Sequence, residues 1–280
     1  MEYLARRRGR IDRHIETVVA DLEPPELASQ VCHAVLAGGK RVRPSLTLLT
    51  CELVGGDPDD AMDFAVGIEL VHTASLIVDD IIDRSPTRRG IESSWSAFGH
   101  GPAIVDSDAH LGEAFALFET DPRAMQIVAE ALVELGEGEA SELIERPTTE
   151  ASYLLLARRK TGALFRAAAE LGTVAAEADP ISVEAVGEYA ERVGIAFQIR
   201  DDVLDATADS HSLGKPTGQD DALGRPSLLQ VTELSPAAAN RRAQEQVVQA
   251  IEALDRVAVE NDRAYNSLVD LADYVVERER

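Results

Sequence analysis

Between its prolines the chain carries apolar residues at helical spacing and little alternation of period two, so the pattern predicts an all-α protein. The expected helices run over roughly 10–20, 26–37, 44–54, 60–83, 102–118, 122–145, 150–177, 182–206, 236–260 and 262–278. Pro24-Pro25 stops the first of these, and Gly38-Gly39 ends the second just before Lys40. Turn chemistry marks loops at Gly55-Gly56-Asp57-Pro58, from Ser85-Pro86 to Gly90, and at Gly214-Lys215-Pro216-Thr217-Gly218. The polar gap from Glu145 to Thr149 is too short to separate domains, so the expectation is one large helical bundle over 1–280, built around a deep central cavity.

Two stretches that otherwise read as core helix break the apolar pattern in the same way. Leu76-Ile-Val-Asp-Asp-Ile-Ile-Asp83 and Phe197-Gln-Ile-Arg-Asp-Asp-Val-Leu-Asp205 both contain D-D-x-x-D. Residues four apart share a helix face, so Asp79 with Asp83, and Asp201 with Asp205, each aim two carboxylates at one point. Like charges at that spacing repel unless a cation lies between them. Ile77, Val78, Ile81, Ile82, Val203 and Leu204 leave these segments little room for a solvated face. All-oxygen pairs that keep sites open for water and phosphate suit Mg²⁺, and two such pairs suggest a diphosphate clamped from both sides.

Charge narrows the choice of partners. The 50 acidic residues against 27 basic ones give a net charge of −23, which argues against nucleic acid and anionic membrane surfaces. So acidic a surface is expected of a protein working in a high-salt cytoplasm, where screening removes the self-repulsion. Cys32 and Cys51 have no neighbours at zinc-ligand or disulfide spacing and are expected as small core residues. No apolar segment of signal-peptide kind follows Arg6-Arg7-Arg8-Gly9-Arg10, and no apolar run reaches membrane-spanning length; the expectation is a soluble, cytoplasmic protein without membrane insertion.

In an acidic chain the clusters of positive charge are informative. Gly38-Gly39-Lys40-Arg41-Val42-Arg43-Pro44 places Lys40 and Arg43 where one helix ends and the next opens, a phosphate-sized site near free backbone N–H groups. Arg88-Arg89-Gly90 follows the first aspartate motif and Lys215 follows the second, giving each motif a cationic partner suited to phosphate oxygens. Lys160-Thr161-Gly162 interrupts an apolar helical run, where a lysine must find an anion or reach out of the bundle. Gln198 is expected to face the same cavity as Asp201, and His72 lies two turns before Asp79 on roughly its face.

Taken together, these segments resemble the trans-isoprenyl diphosphate synthases, the head-to-tail prenyltransferases that include farnesyl and geranylgeranyl diphosphate synthases. The likeness covers about residues 28 to 230 and rests on six motifs occurring in the family's order. It implies a single all-helical domain, normally homodimeric, in which Asp79 and Asp83 hold two Mg²⁺ ions. A third would be held by Asp201, with Asp205 nearby, all three against an allylic prenyl diphosphate. It implies that Arg88, Lys160 and Lys215 also hold that diphosphate, that Lys40, Arg43, His72 and Arg89 hold isopentenyl diphosphate without metal, and that Thr161 and Gln198 line the space where the allylic carbocation forms. The chain departs from the family where Ser94-Trp95 and Ser107-Asp108 stand in place of the usual His and Gly-Asp, where a usual Gln is replaced within Gly136-Glu-Gly-Glu139, and where Arg225 stands in place of Lys. None of these removes a metal ligand or a diphosphate cation.

Product length is the remaining question. A growing chain that descends along the first aspartate helix passes Ser75, Ala74 and Val71, all small or modest, and Val71 lies about 12 Å below Asp79 at a rise of 1.5 Å per residue. The absence of an aromatic plug there points to geranylgeranyl diphosphate, with geranylfarnesyl diphosphate next; Phe115 or Leu111 on a neighbouring helix are candidates for the floor. A terpene cyclase of similar fold and a non-catalytic regulatory subunit are the competing readings. The all-aspartate second motif and the Lys40/Arg43 site weigh against the first, and the presence of both motifs weighs against the second.

Overall fold

The computed structural model describes residues 2–207 and 226–277, so Lys215 and Arg225 lie outside the described residues. Thirteen helices are described: α1 (Glu2–Val19), α2 (Pro25–Val35), α3 (Val42–Leu53), α4 (Met62–Ile82), α5 (Ser94–Phe98), α6 (His100–Phe118), α7 (Pro122–Ala140), α8 (Glu150–Ala157), α9 (Ala163–Ala175), α10 (Pro180–Thr207), α11 (Leu228–Thr232), α12 (Pro236–Leu254) and α13 (Asp262–Glu277). A two-residue hairpin, β1 (Thr87–Arg88) with β2 (Ile91–Glu92), is the only sheet among the described residues.

The helix starts follow from local chemistry. Pro25, Pro122 and Pro236 sit in the first turns of α2, α7 and α12, where a missing N–H costs nothing. Asp121 caps α7 by accepting from Arg123 N at 2.7 Å, and Thr149 and Ser152 form a reciprocal capping box on α8. The core is continuous from Ile11 on α1 to Val275 on α13. At its centre lies α4, apolar nearly all round and buried along most of its length, which packs against α3, α6 and α9. The long α10 packs against α9 and α12, so α9 touches both helices that carry an aspartate motif.

Three local features differ from the sequence expectation. The helix expected over 150–177 is divided by a π-helical turn at Arg158–Gly162, and α7 ends in a second one at Ser141–Glu145. A π turn adds one residue while the chain keeps its helical direction, so the polar interruption at Arg158–Gly162 marks a break in the apolar run but not the change in hydrogen bonding. Small residues make room for the turn at Arg158–Gly162. A Cβ on Gly194 of α10 would come within 2.9 Å of Gly162 Cα, and one on Gly138 of α7 within 3.0 Å of Lys160 N. The hairpin, α5 and α11 are too short to show a period. Cys32 is only half-buried, packed against the edge of the core; Cys51 is buried, and neither forms a disulfide.

Candidate active site

Each aspartate motif ends its helix with a division of labour among its carboxylates. Asp79 and Asp83 are half-buried on one face of α4, whereas Asp80 is 3% exposed and turned toward the hairpin. There Arg88 Nε donates to Asp80 Oδ1 at 3.0 Å, with a second, shorter contact from Nη2. On α10, Asp201 and Asp205 are half-buried and Asp202 is 4% exposed. Asp202 accepts from the Tyr153 hydroxyl at 2.6 Å, from Leu228 N at 2.8 Å and from Gln198 Nε2 at 3.2 Å. The middle carboxylate of each motif therefore anchors its helix end, while the two carboxylates of the i, i+4 pair stay half-buried at that end. Val78 and Ile82, expected inside, are instead 42% exposed each, while Ile77 and Val203 are buried as their neighbours require.

These pairs fit a hard cation by their donors: oxygen only, two per helix face, with coordination positions left for water and phosphate oxygens. Among the described residues no three His, Cys, Asp or Glu side chains come together to hold a metal by themselves.

Lys160 rises from the π turn into an acidic surround. Its ammonium lies 3.1 Å from Glu139 Oε1 and also contacts Glu142. Burial alone would lower its pKa, but Glu142, Glu139 and Asp79 outweigh burial and raise it, so Lys160 is a permanent cation beside the first aspartate pair. Thr161 donates to Gln198 Oε1 at 2.8 Å, and Gln198 in turn donates to Asp202, so these side chains form one network around the second motif.

The second cationic group lies around the start of α3. Arg41, held at φ 50°, is 2% exposed and fully engaged: its Nε reaches Asp12 at 2.8 Å, Nη1 reaches Glu69 at 2.6 Å and Nη2 reaches the Val35 carbonyl at 2.6 Å. Arg43 lies with its guanidinium carbon 4.7 Å from the Phe165 ring centre, and its buried Nε has no hydrogen-bond partner. Burial lowers the Arg43 pKa to about 10, with Glu69 opposing and Arg89 adding to the effect. Arg89 donates to the Gly38 carbonyl at 2.7 Å. Burial, then Arg43, Arg89, Arg88 and Arg41, push His72 well below the ordinary imidazole value, so it enters this site neutral and able to donate one hydrogen bond. Lys40 stands at the rim, its ammonium 2.9 Å from the Tyr274 hydroxyl of α13.

Of the residues expected to set product length, Val71 and Ala74 are buried, at 0% and 2% exposure, and the Ala74 carbonyl accepts from Ser107 of α6 at 3.3 Å. Ser75 is half-buried and turns its hydroxyl back to the His72 carbonyl. Leu111 and Phe115 are half-buried against the core. Sequence reasoning did not single out Glu69, Tyr153, Glu142 or the distinct roles of Asp80 and Asp202. A glutamate inside the apolar run Phe64–Val71 was the legible signal for the first.

The geometry agrees with what similarity to known proteins shows. Residues 24–266 match the family model described as Polyprenyl synthetase. A short chain isoprenyl diphosphate synthase of Methanothermobacter thermautotrophicus is 35% identical over 100% of this chain and 98% of its own. A geranylfarnesyl diphosphate synthase of Aeropyrum pernix is 36% identical over 81% of this chain and 76% of its own. The crystal structure of a geranylgeranyl pyrophosphate synthetase from Pyrococcus horikoshii superposes with a TM-score of 0.91 over 99% of both chains, at 33% identity. None of the described helices is long and apolar enough to cross a membrane. The chain belongs to the polyprenyl synthetase family and is a trans-prenyltransferase, an isoprenyl diphosphate synthase.

Proposed function

We propose that this prenyltransferase joins isopentenyl diphosphate head-to-tail to an allylic diphosphate and makes geranylgeranyl diphosphate as its main linear product. The observation that carries this reading is the pairing of two kinds of site: half-buried aspartate pairs on α4 and α10, and a separate cluster of Arg43, Arg89 and neutral His72. A cyclase that ionises one diphosphate has no use for the second cluster.

Members of this family use a divalent metal. Three Mg²⁺ ions, when bound, would neutralise the charge that develops on the departing diphosphate oxygens. Asp79 and Asp83 would hold two of them, Asp201 the third with Asp205 nearby, while Lys160 and Lys215 bind the same diphosphate directly. Arg88 is engaged with Asp80 and would serve the allylic diphosphate from that position. Arg43, Arg89, His72 and Lys40 bind and orient isopentenyl diphosphate so that its double bond faces the allylic carbon. The Thr161 and Gln198 side chains, fixed by each other, border the carbocation and keep water from it. The proton released after attack goes most simply to the departing diphosphate.

The same reading includes one domain over 1–280, supported by the continuous core, a cytoplasmic location, and no nucleic-acid partner. It also includes a homodimer. Val78 and Ile82 on α4 and Ile104 and Val105 on α6 are 42%, 42%, 54% and 53% exposed, and adjoining helices that expose aliphatic side chains suit burial against a second copy. The reaction class is tested by giving the protein Mg²⁺ and an allylic diphosphate without isopentenyl diphosphate. A synthase leaves the allylic diphosphate unextended, whereas a cyclase converts it to hydrocarbon.

A further inference from the structure

Ten positions before Asp79, within an apolar stretch of α4, the carboxylate of Glu69 is 2% exposed. It sits among guanidinium groups. Oε1 accepts from Arg41 Nη1 at 2.6 Å and lies 4.0 Å from Arg89 Nη2. Glu69 is also the charge that opposes the effect of burial on Arg43, where Arg89 acts in the other sense. One buried carboxylate thus serves three arginines, all close to His72.

The three are not equivalent. Arg41 has every arm committed to protein, to Asp12, Glu69 and the Val35 carbonyl, and offers a ligand nothing. Arg43 keeps an unbonded Nε, and Arg89 spends one arm on the Gly38 carbonyl. Glu69 offsets the charge of the arginine that is used up, while Arg43 and Arg89 keep donor arms not committed to it. Without it, three cations would share the site with only Asp12, on the outer side of Arg41, to offset them. The easiest relief is for Arg89, whose side chain is 22% exposed, to turn toward solvent.

We propose that Glu69 is the positioning residue of the isopentenyl diphosphate site: it neutralises Arg41 and holds Arg43 and Arg89 together, ready to receive one metal-free diphosphate. This inference rests on the reading of the Arg43/Arg89/His72 cluster given under Proposed function. Preorganised cations save the ligand the work of gathering them, so the effect belongs in the affinity for that diphosphate alone.

The experiment compares Glu69→Gln and Glu69→Asp with the wild-type protein in steady-state extension, and measures pyrophosphate binding without metal by calorimetry. Glu69→Gln keeps the shape and loses the charge; it should raise the KM for isopentenyl diphosphate about tenfold or more and leave the allylic KM and kcat within about threefold. Glu69→Asp keeps the charge at a shorter reach and should raise that KM only about two- to fivefold. Asp12→Asn, which loosens Arg41 from its outer side, should change it less than about twofold. If Glu69→Gln leaves the KM for isopentenyl diphosphate unchanged, if it raises both KM values alike, or if Asp12→Asn matches it, the proposal is overturned. Should Glu69→Gln fail to fold, the Asp variant decides, and an unchanged KM overturns the proposal. A wild-type protein that extends nothing, yet binds pyrophosphate more tightly than Glu69→Gln, refutes the reaction while the role of Glu69 stands.

Discussion

Tyr153 and Asp202, 49 positions apart, meet in the core: the phenol donates to Asp202 Oδ2 at 2.6 Å, and Tyr153 is itself 2% exposed. Leu228 N shares that oxygen at 2.8 Å, so α8, α10 and α11 converge on one carboxylate. The contact ties the end of α10, where Asp201 and Asp205 must stay four residues apart on a common face, to the rest of the bundle. Tyr153→Phe leaves a buried carboxylate one donor short and should cost about 1–3 kcal/mol of stability. Because the aspartate pair loses its anchor, the Mg²⁺ concentration for half-maximal activity should rise as well. Thermal melting and a metal titration of activity check the two effects separately.

Removing a carboxylate from either pair should be far more damaging than loosening its anchor. Asp79→Ala or Asp201→Ala should lower kcat by about three orders of magnitude or more, since the leaving diphosphate loses the neutralising charge that lowers the barrier. Lys40→Ala, at the rim beside Tyr274, should instead weaken isopentenyl diphosphate binding with little change in kcat. Steady-state kinetics at saturating Mg²⁺ separates them. Equal kcat for Asp79→Ala and wild type would remove the first motif from the mechanism.

The placement of Ser75 and Ala74 sharpens the expectation for product length. Ala74 is enclosed against α6, whereas Ser75 keeps partial access one turn before Asp79. A phenylalanine at 75 can fill the path of the growing chain, while one at 74 must also force α4 from α6, at a cost of about 1–3 kcal/mol. Ser75→Phe should therefore shorten the product toward farnesyl diphosphate, and Ala74→Phe should do so with a lower melting temperature. Chromatography of the products reads both. An unchanged distribution in each would place the chain along another wall.

Much of this architecture was legible from residue order, and the remainder was hidden for physical reasons. Helical periodicity located α4, α6, α7, α10, α12 and α13 because each buries an apolar stripe over several turns. The D-D-x-x-D segments stood out because carboxylates are costly in such stripes. What periodicity could not say is which carboxylate turns inward: Asp80 and Asp202 differ from their neighbours only through Arg88, Tyr153 and Leu228, contacts made by distant parts of the chain. The π turn that carries Lys160 was hidden for a related reason, since its hydrogen bonding shifts by one residue while the apolar runs of α8 and α9 on either side keep helical spacing. Glu69 forms no local pattern with other charged residues, because its partners, Arg41 and Arg89, lie 28 and 20 positions away.

The net charge of −23 carries its own prediction. Self-repulsion among so many carboxylates is screened over about 3 Å in molar salt, against about 30 Å in dilute (about 0.01 M) buffer, so the melting temperature should climb as KCl rises to molar concentrations. Equal stability in dilute buffer and molar salt would remove the idea of adaptation to a salty cytoplasm.

The central claim is tested most directly by incubating the protein with Mg²⁺, farnesyl diphosphate and labelled isopentenyl diphosphate and sizing the labelled products. The account predicts a linear geranylgeranyl diphosphate as the main product, formed by a single extension and abolished by chelation of the metal. Incorporation of no label, or products that are chiefly cyclic hydrocarbons, would contradict it.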